Sequence, residues 1–238
     1  MRPERVVLVC GTGTEVGKTW VGSTVMRALR GRGMSVAARK PAQSYDIDSE
    51  GAPLGGPTDA DVLGAASGEP PGAVCPPSRS YHRAMAPPMA AESLGLPSFT
   101  VADLIEELAW PSEEVGVGLV EAAGGVRSPL ASDGDTTDLL AALAPEMVLL
   151  VSDAGLGTIN LVRLSMDALA AATTPVAPTV VVLDRFDPAH LIHRRNRQWL
   201  SERCGYRVVA LPGEESDLVD LVADSRAGVS PDAGPLSG

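Results

Sequence analysis

Lysine is almost missing from this chain. Of its 19 lysine and arginine residues only Lys18 and Lys40 are lysine, so every other cationic side chain is a guanidinium. Aromatic residues make up 3% of 238 positions, which leaves few stacking platforms for single-stranded nucleic acid. Positive charge is also in deficit. A formal net charge of −11 argues against nucleic acid or an anionic membrane surface as a partner. The three cysteines, Cys10, Cys75 and Cys204, have no metal-ligand spacing and cannot complete a disulfide framework. Cys10 lies in an apolar run and reads as a core residue. His82, His190 and His193 lack the spacing of a zinc site. No apolar stretch is long enough to span a bilayer. A strand is expected by about residue 5, which leaves no room for a signal peptide, so a cytoplasmic location is expected.

What remains is ordinary for a globular protein: 45% hydrophobic and 21% charged residues, enough for one domain with a sizeable core. Short apolar runs rich in β-branched residues, at 5–10, 35–40, 116–121, 147–152, 179–184 and 207–211, read as buried parallel strands. The spacing predicts helices over 20–30, 58–67 (opened by Thr58, ended by Gly68), 101–110 (opened by Thr100) and 160–172, and an arginine-rich one over 188–204. Residues 41–58 read as a loop and the proline-rich stretch 69–88 as irregular. From Ser225 the Gly/Pro/Ser/Asp composition predicts a flexible tail, 225–238, after one domain at 1–224. Strands alternating with helices, without repeat or linker, imply a single α/β domain, a mostly parallel sheet flanked by helices, and the glycine-rich stretch Gly11–Thr19 between the first strand and a helix makes the P-loop NTPase type the expectation. Its site is expected at the carboxyl ends of the strands.

The two lysines stand where phosphate chemistry would put an ammonium. Lys18 lies in Gly11-Thr12-Gly13-Thr14-Glu15-Val16-Gly17-Lys18-Thr19, between the first strand and a helix start. Thr12 replaces the first glycine of the usual phosphate-loop pattern. Strand, glycine-rich turn and helix N-terminus still supply converging N–H groups and a helix dipole suited to phosphate. Lys18 is placed to reach the outer phosphates, and the Thr19 hydroxyl to join a Mg²⁺ shell. Two acids stand where such an ion needs them: Asp59 at a helix start, with Asp61 as a weaker competitor, and Glu121 at a strand end. Lys40 ends the second strand, immediately before Pro41. A planar guanidinium cannot replace a phosphate-loop lysine without changing the geometry, so a lysine-poor chain keeps lysine where arginine serves worst.

Read in order, the loop at 12–19, Lys40-Pro41-Ala42-Gln43-Ser44, Thr58-Asp59-Ala60, Val120-Glu121-Ala122-Ala123-Gly124-Gly125 with Pro129-Leu130, and Gly155-Leu156-Gly157-Thr158-Ile159-Asn160 resemble the dethiobiotin synthetase family. The resemblance runs from about residue 5 to residue 212. It implies ATP- and Mg²⁺-dependent carboxylation and ring closure of 7,8-diaminononanoate with CO₂, through a carbamate and a carbamic–phosphoric anhydride. It implies catalytic roles for Lys18, Lys40, Thr14 and Glu15. Nucleotide contacts would come from Gly13, Thr14, Glu15, Val16, Gly17, Lys18 and Thr19 with Asp184 and Pro212, and metal ligands from Thr19, Asp59 and Glu121. Substrate contacts would come from Ser44, Ala122, Gly124 and Gly125, and from Gly157, Thr158, Ile159 and Asn160. That last segment would reach over from the neighbouring subunit of a homodimer and hold the substrate carboxylate at a helix start.

Three departures stand out. Ala122 replaces a family glycine and is expected to add a methyl group where backbone approaches substrate. Leu161 replaces the usual histidine after Asn160. Leu183 or Asp184 occupies the place of the family's adenine-contacting asparagine; Asp184 can only accept hydrogen bonds, so CTP or other triphosphates are expected to compete with ATP. Two other readings stay open. One is an ATPase switch of the partitioning type, although such proteins commonly carry a further lysine where Gly13 or Thr14 stands here. The other is a degenerate nucleotide-binding paralogue without turnover, motivated by Ala122 and Leu161. Trp20, directly after the Lys-Thr pair, has no account at this level.

Overall fold

The computed structural model describes residues 1–224, so the expected tail at 225–238 lies outside the described residues. In chain order the elements are β1 (Arg5–Gly11), α1 (Lys18–Gly31), β2 (Val36–Arg39), β3 (Gln43–Ser44), α2 (Asp59–Ser67), α3 (Pro71–Val74), β4 (Ser80–Tyr81), α4 (Pro87–Ser93) and α5 (Val101–Glu106). Then follow β5 (Val117–Glu121), α6 (Thr136–Leu143), β6 (Met147–Asp153), α7 (Thr158–Ala172), β7 (Thr179–Asp184), α8 (Leu191–Gln198), β8 (Arg207–Ala210) and α9 (Glu215–Ala223).

Six strands form one sheet in the order β2-β5-β1-β6-β7-β8, every neighbour parallel. All six runs expected as strands are there. β1 is buried at each of its positions. Because side chains alternate along a strand, Val6, Leu8 and Cys10 join the apolar layer on one face and Val7 and Val9 the layer on the other. Cys10 is a core residue, and burial pushes its thiol up to about 12. From β1 the chain crosses to β2 on one side, and later returns to β6 on the other. The loop after β1 therefore opens at the point where the connections diverge, the usual place for a ligand in such a sheet.

The helices differ from the sequence reading at their ends. α1 begins at Lys18 and α7 at Thr158, each directly behind a left-handed glycine. α5 stops at Glu106: Trp110 precedes Pro111, which biases it away from helix, and the Ala109 carbonyl accepts from Arg39 Nε at 2.7 Å. The arginine-rich helix starts at Leu191, after a turn, and its last five residues, Trp199–Arg203, widen into a π turn. The stretch 69–88 is not irregular throughout; it holds α3, a 3₁₀ turn at Pro77–Arg79, β4 and the start of α4. Within the expected loop at 41–58, β3 pairs with β4 in a small parallel ribbon. Helices α6 and α9 have no counterpart in the sequence reading.

Candidate active site

The glycine-rich segment closes tightly over the end of β1. Gly17 caps α1 at φ 96°, and no side chain bonds to the first turn, so its N–H groups are free for a ligand. A Cβ at Gly17 would lie 2.0 Å from Asp184 Oδ2, so only glycine fits. Lys18 Nζ donates to the Gly13 carbonyl at 2.8 Å. Burial first, and Lys40 second, lower the Lys18 pKa. Thr12, at the position of the absent glycine, has its own use. Its hydroxyl donates to Ser152 Oγ at 3.1 Å; Ser152 Oγ lies 2.6 Å from Thr158 Oγ1, which donates to the Asp153 carbonyl. The loop is thereby tied to the turn between β6 and α7.

Strand register brings the acids to the lysines. Arg39 pairs with Val120 across β2 and β5, and Val9 with Glu121 across β1 and β5, so Lys40, Glu121 and the loop share one end of the sheet. At the start of α2, the Thr58 hydroxyl accepts from the Asp61 N–H and the Asp61 carboxylate accepts from the Thr58 N–H. That reciprocal cap occupies Asp61 and leaves Asp59 to turn inward. Lys40 Nζ stands 2.8 Å from Asp59 Oδ2 and 2.5 Å from Glu121 Oε1. Thr19 Oγ1 lies 2.8 Å from Asp59 Oδ1 and 2.9 Å from Glu121 Oε1.

Lys40 is 2% exposed and Glu121 fully buried. Burial works against the Lys40 charge, but Asp59 and Glu121 outweigh it and raise the pKa. Lys40 in turn lowers that of Asp59, while burial raises that of Glu121. Glu121 Oε2 is buried with no hydrogen-bond partner, an arrangement that calls for a cation. One hydroxyl and two carboxylates are hard oxygen donors, the set that suits Mg²⁺ when phosphate and water complete the shell. Among the described residues no group of three or more His, Cys, Asp or Glu is disposed to hold a metal by itself.

Of these groups Lys18, Thr19, Lys40 and Asp59 line a cavity of about 750 Å³, while Glu121 does not reach its wall. Thr14, Glu15, Gly17, Lys18, Thr19 and Trp20 contribute from the loop and α1, and Lys40, Ser44, Asp59 and Gly124 from the other expected segments. Sequence reasoning missed Met85, Ala86, Pro87, Ser128 and Arg185, which share the wall. Ser44 Oγ donates to the Met85 carbonyl at 2.5 Å and so brings that segment in. Gln43, also on the wall, accepts from the Ala60 N–H and donates to Ser80 Oγ. The position of Arg185 directly after a strand was the signal that could have found it.

Other expected site residues stand elsewhere. The Ala122 methyl packs in the core, fully buried, and does not narrow the cavity; only its carbonyl faces Lys40, at 3.3 Å. Gly125 packs under the loop, where a Cβ would lie 3.3 Å from the Thr12 carbonyl. Gly13 and Val16 belong to the loop without lining the cavity. Asp184 sits behind Gly17, 5% exposed and off the wall, and burial raises its pKa. Pro212 is exposed beyond β8. Gly157, Thr158, Ile159 and Asn160 form the start of α7, outside the cavity, beside Leu156, which is 94% exposed.

Comparison with known proteins agrees with this geometry. The AAA_26 family (AAA domain) matches residues 5–218. The ATP-dependent dethiobiotin synthetase BioD of Anaeromyxobacter dehalogenans (strain 2CP-C) is 38% identical over 186 residues, covering 77% of this chain and 78% of the relative. The protein of the same name from Rhodococcus jostii (strain RHA1) is 40% identical over 178 residues, 74% of this chain and 72% of the relative. Chloroplast FtsY from Physcomitrella patens superposes with a TM-score of 0.51 at 17% identity, over 93% of this chain and 66% of that one, a likeness of fold alone. With a family match over residues 5–218 and relatives of this identity and coverage, the chain belongs to the ATP-dependent dethiobiotin synthetase family.

Proposed function

We propose that the chain makes dethiobiotin from 7,8-diaminononanoate, CO₂ and a nucleoside triphosphate, as a ligase of biotin biosynthesis. The observation that carries this reading is Lys40, an ammonium buried against two carboxylates on a cavity wall shared by the phosphate loop and the Ser44–Met85 segment. The free N–H groups of the α1 start cradle phosphate, and Lys18 exchanges the Gly13 carbonyl for the outer phosphates. Thr19, Asp59 and Glu121 are the residues to hold Mg²⁺, which when bound neutralises phosphate charge. One neutral amine of the diamine takes up CO₂ as a carbamate and releases a proton, with Lys40 opposing its charge, Thr14 donating a hydrogen bond, and Ser44 exchanging the Met85 carbonyl for a carbamate oxygen. A carbamate oxygen attacks the γ-phosphorus, and the nucleoside diphosphate leaves. The second amine then attacks the carbamoyl carbon, closing the ring and expelling phosphate. Glu15 shapes the loop. Positioning and charge neutralisation supply most of the acceleration in such transfers.

Two finer points belong to the same reading. With Asp184 behind Gly17 and no asparagine at that position, adenine lacks a two-sided partner, so CTP and other triphosphates compete with ATP. Strong preference for ATP in competition binding would refute this. The start of α7 is uncapped and flanked by Leu156, Leu161 and Leu164, which are 94%, 45% and 61% exposed. That supports a homodimer in which this segment takes the substrate carboxylate of the neighbouring site, and Leu164→Glu should yield monomers by light scattering. No described helix is long and apolar enough to cross a membrane; a cytoplasmic location is part of the proposal.

The deciding assay follows phosphate release with Mg·NTP and bicarbonate, with and without the diamine, and weighs the product by mass spectrometry. Diamine-dependent release with dethiobiotin formed is expected. Release independent of the diamine would replace this reading with an ATPase switch, and no release with a paralogue that only binds.

A further inference from the structure

Two non-glycine residues at the cavity are held in the left-handed region, Glu15 at φ 60° and Arg185 at φ 55°. That conformation crowds a Cβ, and residues kept there against preference gather at functional sites. These two are partners: Arg185 Nη2 donates to the Glu15 carbonyl at 2.8 Å. The register of β6 with β7 sets Asp153 beside Asp184, so the guanidinium also faces two carboxylates. Both are too distant for hydrogen bonds, at 3.7 Å from Nη1 and 3.8 Å from Nε. Arg185 thus has donors to spare, and its side chain is 60% exposed.

The cations on the cavity wall are Lys18, Lys40 and Arg185. Lys40 is matched by two carboxylates at contact distance. Lys18 and Arg185 are each bonded to a carbonyl of the phosphate loop, Gly13 for one and Glu15 for the other. A neutral carbonyl holds a cation less strongly than a phosphate oxygen, and a guanidinium can grip phosphate with two parallel bonds. We propose that Arg185 is a nucleotide-binding residue, resting on the Glu15 carbonyl and moving to a phosphate oxygen when the triphosphate arrives. Asp153 is its competitor in the resting state. This rests on reading the cavity as a nucleotide site.

The test measures dissociation constants of the full-length protein for Mg·ATP, adenosine and 7,8-diaminononanoate by calorimetry. Arg185→Ala should weaken Mg·ATP about tenfold or more, the loss of one charged hydrogen bond. Adenosine and the diamine should be unaffected, and Arg185→Lys should restore part of the affinity. A residue that only braced the loop is separated by Asp153→Asn, which keeps the acceptor for the Gly155 N–H but loosens the hold on Arg185. That change should tighten Mg·ATP more in the wild-type background than beside Arg185→Ala. Equal gains in both backgrounds, unchanged Mg·ATP affinity in Arg185→Ala, or a loss confined to the diamine would each overturn the proposal. A wild-type protein that binds no triphosphate would overturn the reading of the cavity as well.

Discussion

Helix α1 opens behind Gly17 at φ 96° and α7 behind Gly157 at φ 94°; each follows a central strand, and neither has a side-chain cap. Both backbones turn first-turn N–H groups toward an anion, although in α7 the Thr158 N–H already donates to the Gly155 carbonyl at 3.4 Å. Their surroundings differ. In the first turn of α1, Thr19 faces Asp59 and Glu121, with Lys18 and Lys40 beside it. In the first turn of α7, Thr158 is 2% exposed and its hydroxyl is spent on Ser152 and the Asp153 carbonyl. A helix start suits anions in general; the lysines and carboxylates around α1 are what support the triphosphate site proposed there, and α7, without them, is proposed only for a single carboxylate.

The most severe way to break that contrast is to strip α1 of its lysine. Lys18→Ala is expected to cut turnover by on the order of 10²–10³-fold, the cost of losing one preorganised charge in a reacting site, read from steady-state phosphate release. Lys40→Arg should cost about tenfold or more, because a flat, larger head has no room among Asp59, Glu121 and the Ala122 carbonyl. Full activity in that variant would remove Lys40 from the chemistry. For α7 the telling change is Ile159→Pro, which deletes one first-turn N–H. Diamine affinity should fall about tenfold while Mg·ATP affinity holds; an unchanged diamine constant would leave α7 without a ligand. Thr158→Pro is a poorer probe, since Thr158 belongs to the hydroxyl chain that reaches the phosphate loop through Thr12. The mildest expected effect comes from Thr158→Val, about 1 kcal/mol of stability by urea unfolding, with both ligands still bound.

The sequence exposes the α1 start far better than its surroundings. Buried parallel strands are unbroken apolar runs, so all six showed, and the residues that end them, Lys40 and Glu121, fell next to the phosphate loop by topology. The sequence separates Asp59 from Asp61 only as the stronger candidate; the cap that occupies Asp61 is a matter of side-chain rotation. β3 and β4 have two residues each, too few to carry a period, so the ribbon that sets Gln43 and Ser44 on the wall is not legible in the sequence. A strand end does not reveal which way a methyl group points, and that of Ala122 points into the core. Arg185 follows Leu183 and Asp184, the two positions that match the family's base-contacting asparagine; Asp184 is buried, and it is Arg185 that stands on the cavity wall.

Trp20 stands on the cavity wall with its indole 42% exposed, while Trp110 lies under the Arg39 guanidinium and Trp199 on the π turn, both away from that wall. The protein therefore contains a built-in optical probe. With Trp110 and Trp199 replaced by phenylalanine, emission would come from a single indole beside the phosphate loop. Its change on rapid mixing would time the arrival of nucleotide and of diamine separately, without a label.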